Sequence, residues 1–482
     1  MSSGLFSIAN SALLAHQQAL QTISQNIANA ETPGYSRQEA QMSANTPLRM
    51  AYGSVGTGVS VYTIIRKRDA LLDDTFRASN AHAGGAEMHR DMLGQLESVF
   101  GEPTDAGMSN ALDQFWGAYS DLATSPNNGS TQAIVQQRGR QLAGLLNDYD
   151  TQLTQQRATS TERLTSTISQ INGLAAQVAE LNDRIVTSES NGNTANDLRD
   201  QRDLRLDQLS RIAGTRVISQ ANGAATVVIG NSTLVDGSTS RPVSLQFASP
   251  QPPPTVTPSD IPVKVLLGNS PDTLQPLGGE LGAIVQYMNT DIPGIRGRLD
   301  AMARSVVSAV NAQHTQGFVF SGTTIPGTAA GNFFDVGTLL NPVRAGTIKL
   351  DSVIAGDASR IASSRDIMAP MDNGTAKAIA SLRNDVTAVS YTTPSGSTET
   401  GSLLSFFRAT VTGLGAHVNS ETDSATSYRA LADQGEARRQ AVSGVNTDEE
   451  LVQMLKLQQS YTAATKLIKT MDEMMQTLMQ LV

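Results

Sequence analysis

Five histidines, His16, His82, His89, His314 and His417, are the residues from which this chain could build metal or acid–base chemistry. None stands in an HExxH pattern or any comparable ligand spacing. His82 and His89 are seven apart, with no third ligand in view nearby. His314 lies in Asn311-Ala312-Gln313-His314-Thr315-Gln316-Gly317. Gly317 is a helix C-terminus signal, and histidine is favourable at the negative end of a helix dipole, so His314 reads as a capping residue rather than a catalyst. The absence of cysteine removes disulfides, thiolate nucleophiles and cysteine-based zinc or iron–sulfur sites together. There is no P-loop, no GxGxxG after a strand and no GxSxG elbow. A glycosidase needs only two carboxylates near each other in space, but no compact stretch of chain is left over to house a hydrolytic domain. The expectation is a non-enzyme with no catalytic residues, no cofactor and no metal.

The elements that would carry any other function are legible at both ends. Phe6, Leu13, Leu20 and Ile27 recur every seven residues, with Ala9, His16, Ile23 and Ala30 three later. Met454, Tyr461, Ile468, Met475 and Val482 repeat in the same way, with Leu457, Ala464, Met471 and Leu478 three later. Each set is a narrow a/d seam that asks for a partner helix. The two seams most economically pair with each other or with copies in neighbouring subunits. Terminal segments tend to be disordered unless docked, so residues 1–35 and 447–482 are expected to form a coiled coil that is disordered in the monomer. At the C-terminal helix, Thr447 is placed as the cap with Glu450 reaching back in a capping box. At the other end Pro33-Gly34 fits the centre of a type II turn over Thr32-Pro33-Gly34-Tyr35, with extended chain through Arg37.

Between the ends, residues 93–212 read as helical. Leu112, Phe115, Trp116, Tyr119 and Leu122 make one apolar face, and Leu164, Ile171, Val178 and Ile185 recur at seven. A helix from Ser130 to about Ser188 would span roughly 90 Å, with Gly139, Gly144 and Gly173 as points where it could kink or split. The alternating charges of Leu198-Arg199-Asp200-Gln201-Arg202-Asp203-Leu204 read as a solvated face with weak ion pairs. Thr226–Ile229, a Gly230-Asn231 turn and Thr233–Val235 read as a hairpin, and Val243–Phe247 and Val263–Leu267 continue the strands around Pro250–Pro258. Helix returns at Leu281, past a break at Pro293-Gly294, and again over Thr375–Asn384 and Ser402–Ser443. The fold class expected is α+β and multidomain: an elongated long-helix bundle or coiled coil formed by both chain ends and the central helices, with an inserted β-rich domain. The domains are the terminal coiled coil, a helical rod-like domain of 36–214, 279–332 and 373–446, a β domain of 215–278 exposed on the outside, and a short irregular segment of 333–372.

Charged residues are only 16% of the 482, against ~25% in ordinary globular chains. A net charge of −9 disfavours nucleic acid and anionic lipid, which reward clustered Lys and Arg. The N-terminus has no basic region before an apolar run, and no stretch of about 18 apolar residues occurs. A cleaved signal peptide and membrane insertion are therefore not expected.

The run from Gln25 to Arg37, with Asn26, Asn29, Thr32, Pro33, Gly34, Tyr35 and Arg37, resembles the N-terminal signature of the flagellar axial proteins of rod, hook and hook–filament junction. Gly444, Val445, Asn446, Glu449 and Glu450, followed by Gln458-Gln459-Ser460-Tyr461, resemble the matching C-terminal signature. Residues 198–204 and the pattern Val310-Asn311-x-x-His314-x-x-Gly317 resemble the hook-proximal junction subunits within that superfamily. The resemblance implies a structural subunit that polymerises at the hook tip and joins hook to filament. Its partners would be copies of itself, hook protein, a second junction protein on the filament side, and a cytoplasmic export chaperone on the C-terminal helix. It would be extracellular, exported by the flagellar type III apparatus. The alternatives are a hook or distal rod protein, or a secreted type III tip or translocator protein.

Overall fold

The computed structural model describes residues 2–50, 53–101, 104, 106–190, 192, 194–247, 261–268, 273–275, 277–322, 324–338, 341–393 and 396–480. The Pro-rich run of 250–258 and Val482 lie outside them. Helix α1 (Ser2–Ala28) begins the chain. The turn after it has the expected geometry: Gly34 has φ +81°, and the Tyr35 amide donates to the Thr32 carbonyl at 3.1 Å. That positive φ is what only glycine adopts without cost. A Cβ there would also lie 3.2 Å from Leu204 Cβ.

An antiparallel hairpin follows, β1 (Gln38–Ala44) and β4 (Val59–Arg66), with a smaller hairpin at its tip formed by β2 (Leu48–Met50) and β3 (Gly53–Val55). The chain then enters α2 (Ala70–Ser98), capped by the Asp69 carboxylate, and α3 (Met108–Thr124). The five residues Leu112, Phe115, Trp116, Tyr119 and Leu122 of α3 are all buried. Asn128 caps α4 (Gly129–Glu189), one unbroken helix of 61 residues. Its glycines do not split it. Gly139 instead admits a neighbour, since a Cβ there would sit 2.7 Å from the Phe333 ring. The heptad residues Leu164, Ile171, Val178 and Ile185 are fully buried.

Helix α5 (Asn196–Ala213) leads into a four-stranded antiparallel sheet, β5 (Arg216–Ser219), β6 (Ala225–Ile229), β7 (Ser232–Asp236) and β8 (Thr239–Ser240). The pair β9 (Val243–Phe247) and β10 (Val263–Leu267) stands beside it. These strands do not carry a separate core. Val227, Leu234, Val243 and Val265 join the same buried cluster as the helices. Two asparagines of α4 complete the attachment. Asn182 donates to the Ala225 and Gly237 carbonyls, and Asn172 exchanges two hydrogen bonds with the backbone of Val243.

The break anticipated at Pro293-Gly294 is a π turn, Tyr287–Asp291, between α6 (Gly279–Gln286) and α7 (Ile292–His314). The turn falls just before the proline, where the helical ladder cannot be regular. Beyond α7 come the two short strands β11 (Phe318–Val319) and β12 (Thr328–Ala329), then α8 (Ser352–Gly356), α9 (Gly374–Ser381) and the hairpin β13 (Val389–Thr392) with β14 (Thr398–Gly401). Phe333 and Phe334, from the irregular segment, meet Phe115 and Tyr119 in an aromatic cluster with centroids 4.8–6.0 Å apart. Helix α10 (Leu403–Ser443), 41 residues long, returns along α2, and α11 (Thr447–Gln480) returns along α1.

Candidate functional site

The two terminal helices lie against each other within one chain, and α1 also rests on the β1–β4 hairpin. Of the seam residues, Ile23, Ala464 and Met471 are buried, and Leu13, Leu20, Ile27, Met454, Leu457, Tyr461 and Ile468 are half-buried. Phe6 and Met475 remain open, at 52% and 46% exposure. Leu478 is on the helix, but its side chain lies outside what is described. The described seam is thus partly covered along its middle and open at Phe6 and Met475, while Ala15, Ala19 and Thr22, outside the seam, are also buried. Apolar side chains outside the seam are also open: Leu5 and Leu14 on α1, and Leu451, Val452, Leu455, Leu467, Met474 and Met479 on α11, are all exposed.

The signature residues meet where this pair joins the rest of the molecule. The buried Asn26 side chain uses every hydrogen-bonding function it has. Its oxygen accepts from the Gln38 amide and the Tyr35 hydroxyl, both at 2.9 Å. Its nitrogen donates to the Gln38 carbonyl at 2.8 Å and to Glu450 Oε2 at 3.0 Å. Glu450, only 2% exposed, also accepts from Arg37 Nε at 2.6 Å. Arg37 reaches Glu449 at 3.5 Å, and its amide donates to the Ser443 carbonyl. Burial, followed by the nearby carboxylates of Asp197, Asp200 and Glu450, pushes the Tyr35 hydroxyl up, so it stays a donor.

This arrangement corrects the capping box. Asn446, not Thr447, accepts from the first amides of α11, those of Asp448 and Glu449. Glu450 does not reach back; it crosses to Asn26 and Arg37. Gly444 is required by space, since a Cβ would fall 2.4 Å from the Gln440 carbonyl oxygen. Asn29 and Thr32 only brace the turn, through their own hydrogen bond at 3.2 Å. Pro33 is exposed and Val445 half-buried; neither makes a polar link to the cluster.

The larger correction concerns residues 198–204. They are not a solvated face. Asp200, Arg202 and Asp203 are at most 7% exposed, as part of a buried ionic network. Asp200 accepts from the Ser36 amide and hydroxyl at 3.0 and 2.7 Å, and from Arg66 at 2.7 Å. Asp203 pairs with Arg66 at 2.9 Å, Arg68 at 3.6 Å and Arg77 at 3.4 Å. Arg68 also grips Asp73 with two hydrogen bonds. Asp207 pairs with Arg77 and, from α10, with Arg439, whose guanidinium covers the Phe76 ring at 4.1 Å. Burial alone would raise the Asp203 carboxyl, but Arg68, Arg66 and Arg77 overrule it and hold it at about 2. Arg202 donates to Asn182 and the Gly223 carbonyl instead, and burial brings it down to about 10. The missed signal was the spacing of Asp200, Asp203 and Asp207, which puts three carboxylates on one helix face.

His314 does not cap its own helix. It is fully buried, its Nδ1 lies 2.7 Å from the Gly331 carbonyl, and its Nε2 accepts from the Ala362 amide at 3.0 Å. Those partners fix a neutral imidazole protonated on Nδ1, and burial lowers its pKa to about 4. A ring with both nitrogens engaged and no solvent face is a structural link. His82 stacks on Tyr428, apart from His89.

A pair of terminal helices held through two signatures to a ring of charge between hairpin, α2, α5 and α10 is the terminal module of a flagellar axial protein. Residues 6–35 match the flagella basal body rod protein family, and 439–481 match the flagellar basal body rod FlgEFG protein C-terminal family. Residues 93–334 match the flagellar hook-associated protein FlgK helical domain. The chain is 28% identical to flagellar hook-associated protein 1 of Bacillus subtilis over 97% of its own length and 96% of the relative's. It is 30% identical to that of Salmonella typhimurium over 70% of its own length, but spans only 60% of that relative. A solved structure, the flagellar hook junction protein FlgK from Burkholderia pseudomallei, shares the fold with a TM-score of 0.64 at 17% identity, covering 77% of this chain and 100% of that one. The chain belongs to the FlgK family, the structural hook-associated proteins of the flagellum.

Proposed function

We propose that this chain polymerises at the hook tip as the adaptor between hook and filament, and that its work is mechanical rather than catalytic. The observation that carries this reading is the lock of Asn26, Arg37 and Glu450. It ties the far ends of the sequence together and fixes the direction in which the terminal helices leave the body. Neighbouring copies then meet head to tail, as open helical assembly requires, and the exposed side chains of the helix pair provide apolar surface for them. Hook protein and a filament-side junction protein are the neighbours at the two rims.

The chain travels unfolded through the flagellar export apparatus and acts outside the cell. Among the described residues no helix is long and apolar enough to cross a membrane. Before export, a chaperone covers α11, where Met474, Met475 and Met479 stand exposed while Met454 is half-buried and Met471 buried. The chain divides into the terminal coiled coil of 1–35 with 447–482 and the helical rod of 36–214, 279–332 and 373–446, whose core the strands of 215–278 and the segment of 333–372 share.

Electron microscopy of a deletion strain tests the assignment. Hooks present, filaments absent and flagellin shed into the medium is the expected result; absent hooks would return the chain to the rod or hook proteins.

A further inference from the structure

One cluster lies outside everything used so far. His89 on α2 faces His417 and Glu421, one turn apart on α10. His89 Nδ1 is 3.5 Å from Glu421 Oε1, and His417 Nε2 is 3.8 Å from the same oxygen. The two imidazoles stand edge to face, with centroids 5.5 Å apart. One donor atom from each of the three residues lies within 4.8 Å of those of the other two.

The other side of the His89 ring supplies an independent observation. Its Nε2 is 2.9 Å from the carboxylate of Asp291, the last residue of the π turn between α6 and α7. When the ring is neutral, a carboxylate receiving one ring N–H leaves the opposite nitrogen as a bare lone pair, and it fixes the ring's direction. That lone pair is aimed at a carboxylate oxygen. Two acceptors facing each other repel, unless a cation stands between them. A proton would serve the His89–Glu421 pair alone, whereas His417 brings a third donor to the same point. His89 is buried and Asp291 half-buried, His417 is 42% exposed in its side chain, and clefts lined by His417 and by His89 with Glu421 open beside the cluster, so an ion can reach it.

We propose that His89, His417 and Glu421 bind a divalent transition-metal ion, zinc being the best match, with Asp291 orienting His89. Two imidazoles and one carboxylate are a donor set that zinc accepts in tetrahedral geometry, leaving one position for water. Magnesium and calcium prefer all-oxygen ligands and would not compete. The ion would pin α2 to α10, and through Asp291 to the turn before α7, in the stem below the terminal pair. The site is structural in this reading: nothing around it resembles a substrate cleft.

Cobalt(II), added to the untagged full chain, serves as a spectroscopic probe. The expected result is visible d–d absorption that saturates at one ion per chain, is displaced by zinc, and is indifferent to magnesium. His417→Ala removes a half-exposed ligand without disturbing the core, and should weaken binding at least tenfold; Asp291→Asn should weaken it about 10–100-fold. Binding should also raise Tm, with a chelator reversing the rise. Absence of saturable cobalt absorption, binding unchanged by His417→Ala, or a His89 that only exchanges a proton with Glu421 would each overturn the proposal.

Discussion

Asp203 shows at the residue scale how far a local reading can miss. Its carboxylate is surrounded by Arg66, Arg68 and Arg77, and a buried ion pair that loses one partner leaves uncompensated charge behind. Asp203→Asn should cost about 3–5 kcal/mol of stability, read by denaturant unfolding at neutral pH. The pH dependence carries the sign. The folded carboxyl sits at about 2 and the unfolded one at 3.8, so its contribution is present above 3.8 and is lost as pH falls toward 2. The wild-type chain should lose stability through that window more steeply than the variant. His314 acts in a higher window. Burial holds it at about 4 against 6.5, so the unfolded chain gains a proton first, and the stability present above 6.5 is lost as pH falls toward 4. Calorimetry on His314→Gln should show a shallower decline between those limits.

At the element scale, the terminal helices depend on one polar joint and one thin apolar contact. In Asn26→Asp a carboxylate oxygen would replace the nitrogen that lies 3.0 Å from Glu450 Oε2, and two donors would be lost in a buried site. Each unsatisfied buried group costs about 1–3 kcal/mol, so α1 should come away from α11 and the hairpin while the body stays folded. Loss of amide protection confined to residues 26–38 and 443–450 is the expected readout. The apolar contact is tested separately. Leu20→Asp and Ile468→Asp put charge on half-buried positions of α1 and α11, and should abolish incorporation into the junction without changing the melting of the central helices. Retained incorporation would mean that the seam is not the assembly surface.

At the scale of the whole molecule, α10 runs back along α2, α4 packs on α3 and α5, and the terminal pair of α1 and α11 joins this body at the lock. On α11, Ala464 and Met471 are the buried hydrophobics among the described residues, too little apolar area to hold two long helices firmly on its own. We therefore expect the isolated chain to exchange its amides rapidly over residues 1–25 and 455–480. Protection should appear at Asn26, where the lock begins, and extend over the full ends only in the polymer. Uniform strong protection of both ends in the monomer would contradict this. Coupled ordering of that kind suits a subunit that must stay soluble until its neighbours are present.

Periodicity was enough to find α1, α4 and α11, but most of α2 and the whole β1–β4 hairpin carry no such repeat and were not legible. The sevenfold repeats of α1, α4 and α11 state which side is apolar, the strands β6, β7, β9 and β10 alternate within turn signals, and Pro33-Gly34 specifies its own turn. These are local properties, so a single sequence carries them. The two end signatures also named the residues of the lock, though not their pairing. What tertiary structure decided were contacts between residues hundreds of positions apart. Asp200 and Asp203 look solvent-facing until Arg66, Arg68 and Arg77 arrive from the hairpin and α2. His89 has no His or carboxylate partner nearby in sequence, yet α10 brings His417 and Glu421 to it. Glu450 satisfies a local capping rule, but a buried asparagine and an arginine from the other end of the chain offer it more than its own backbone does. Charge and hydrogen-bonding partners depend on distance in space, and only the folded chain sets that distance.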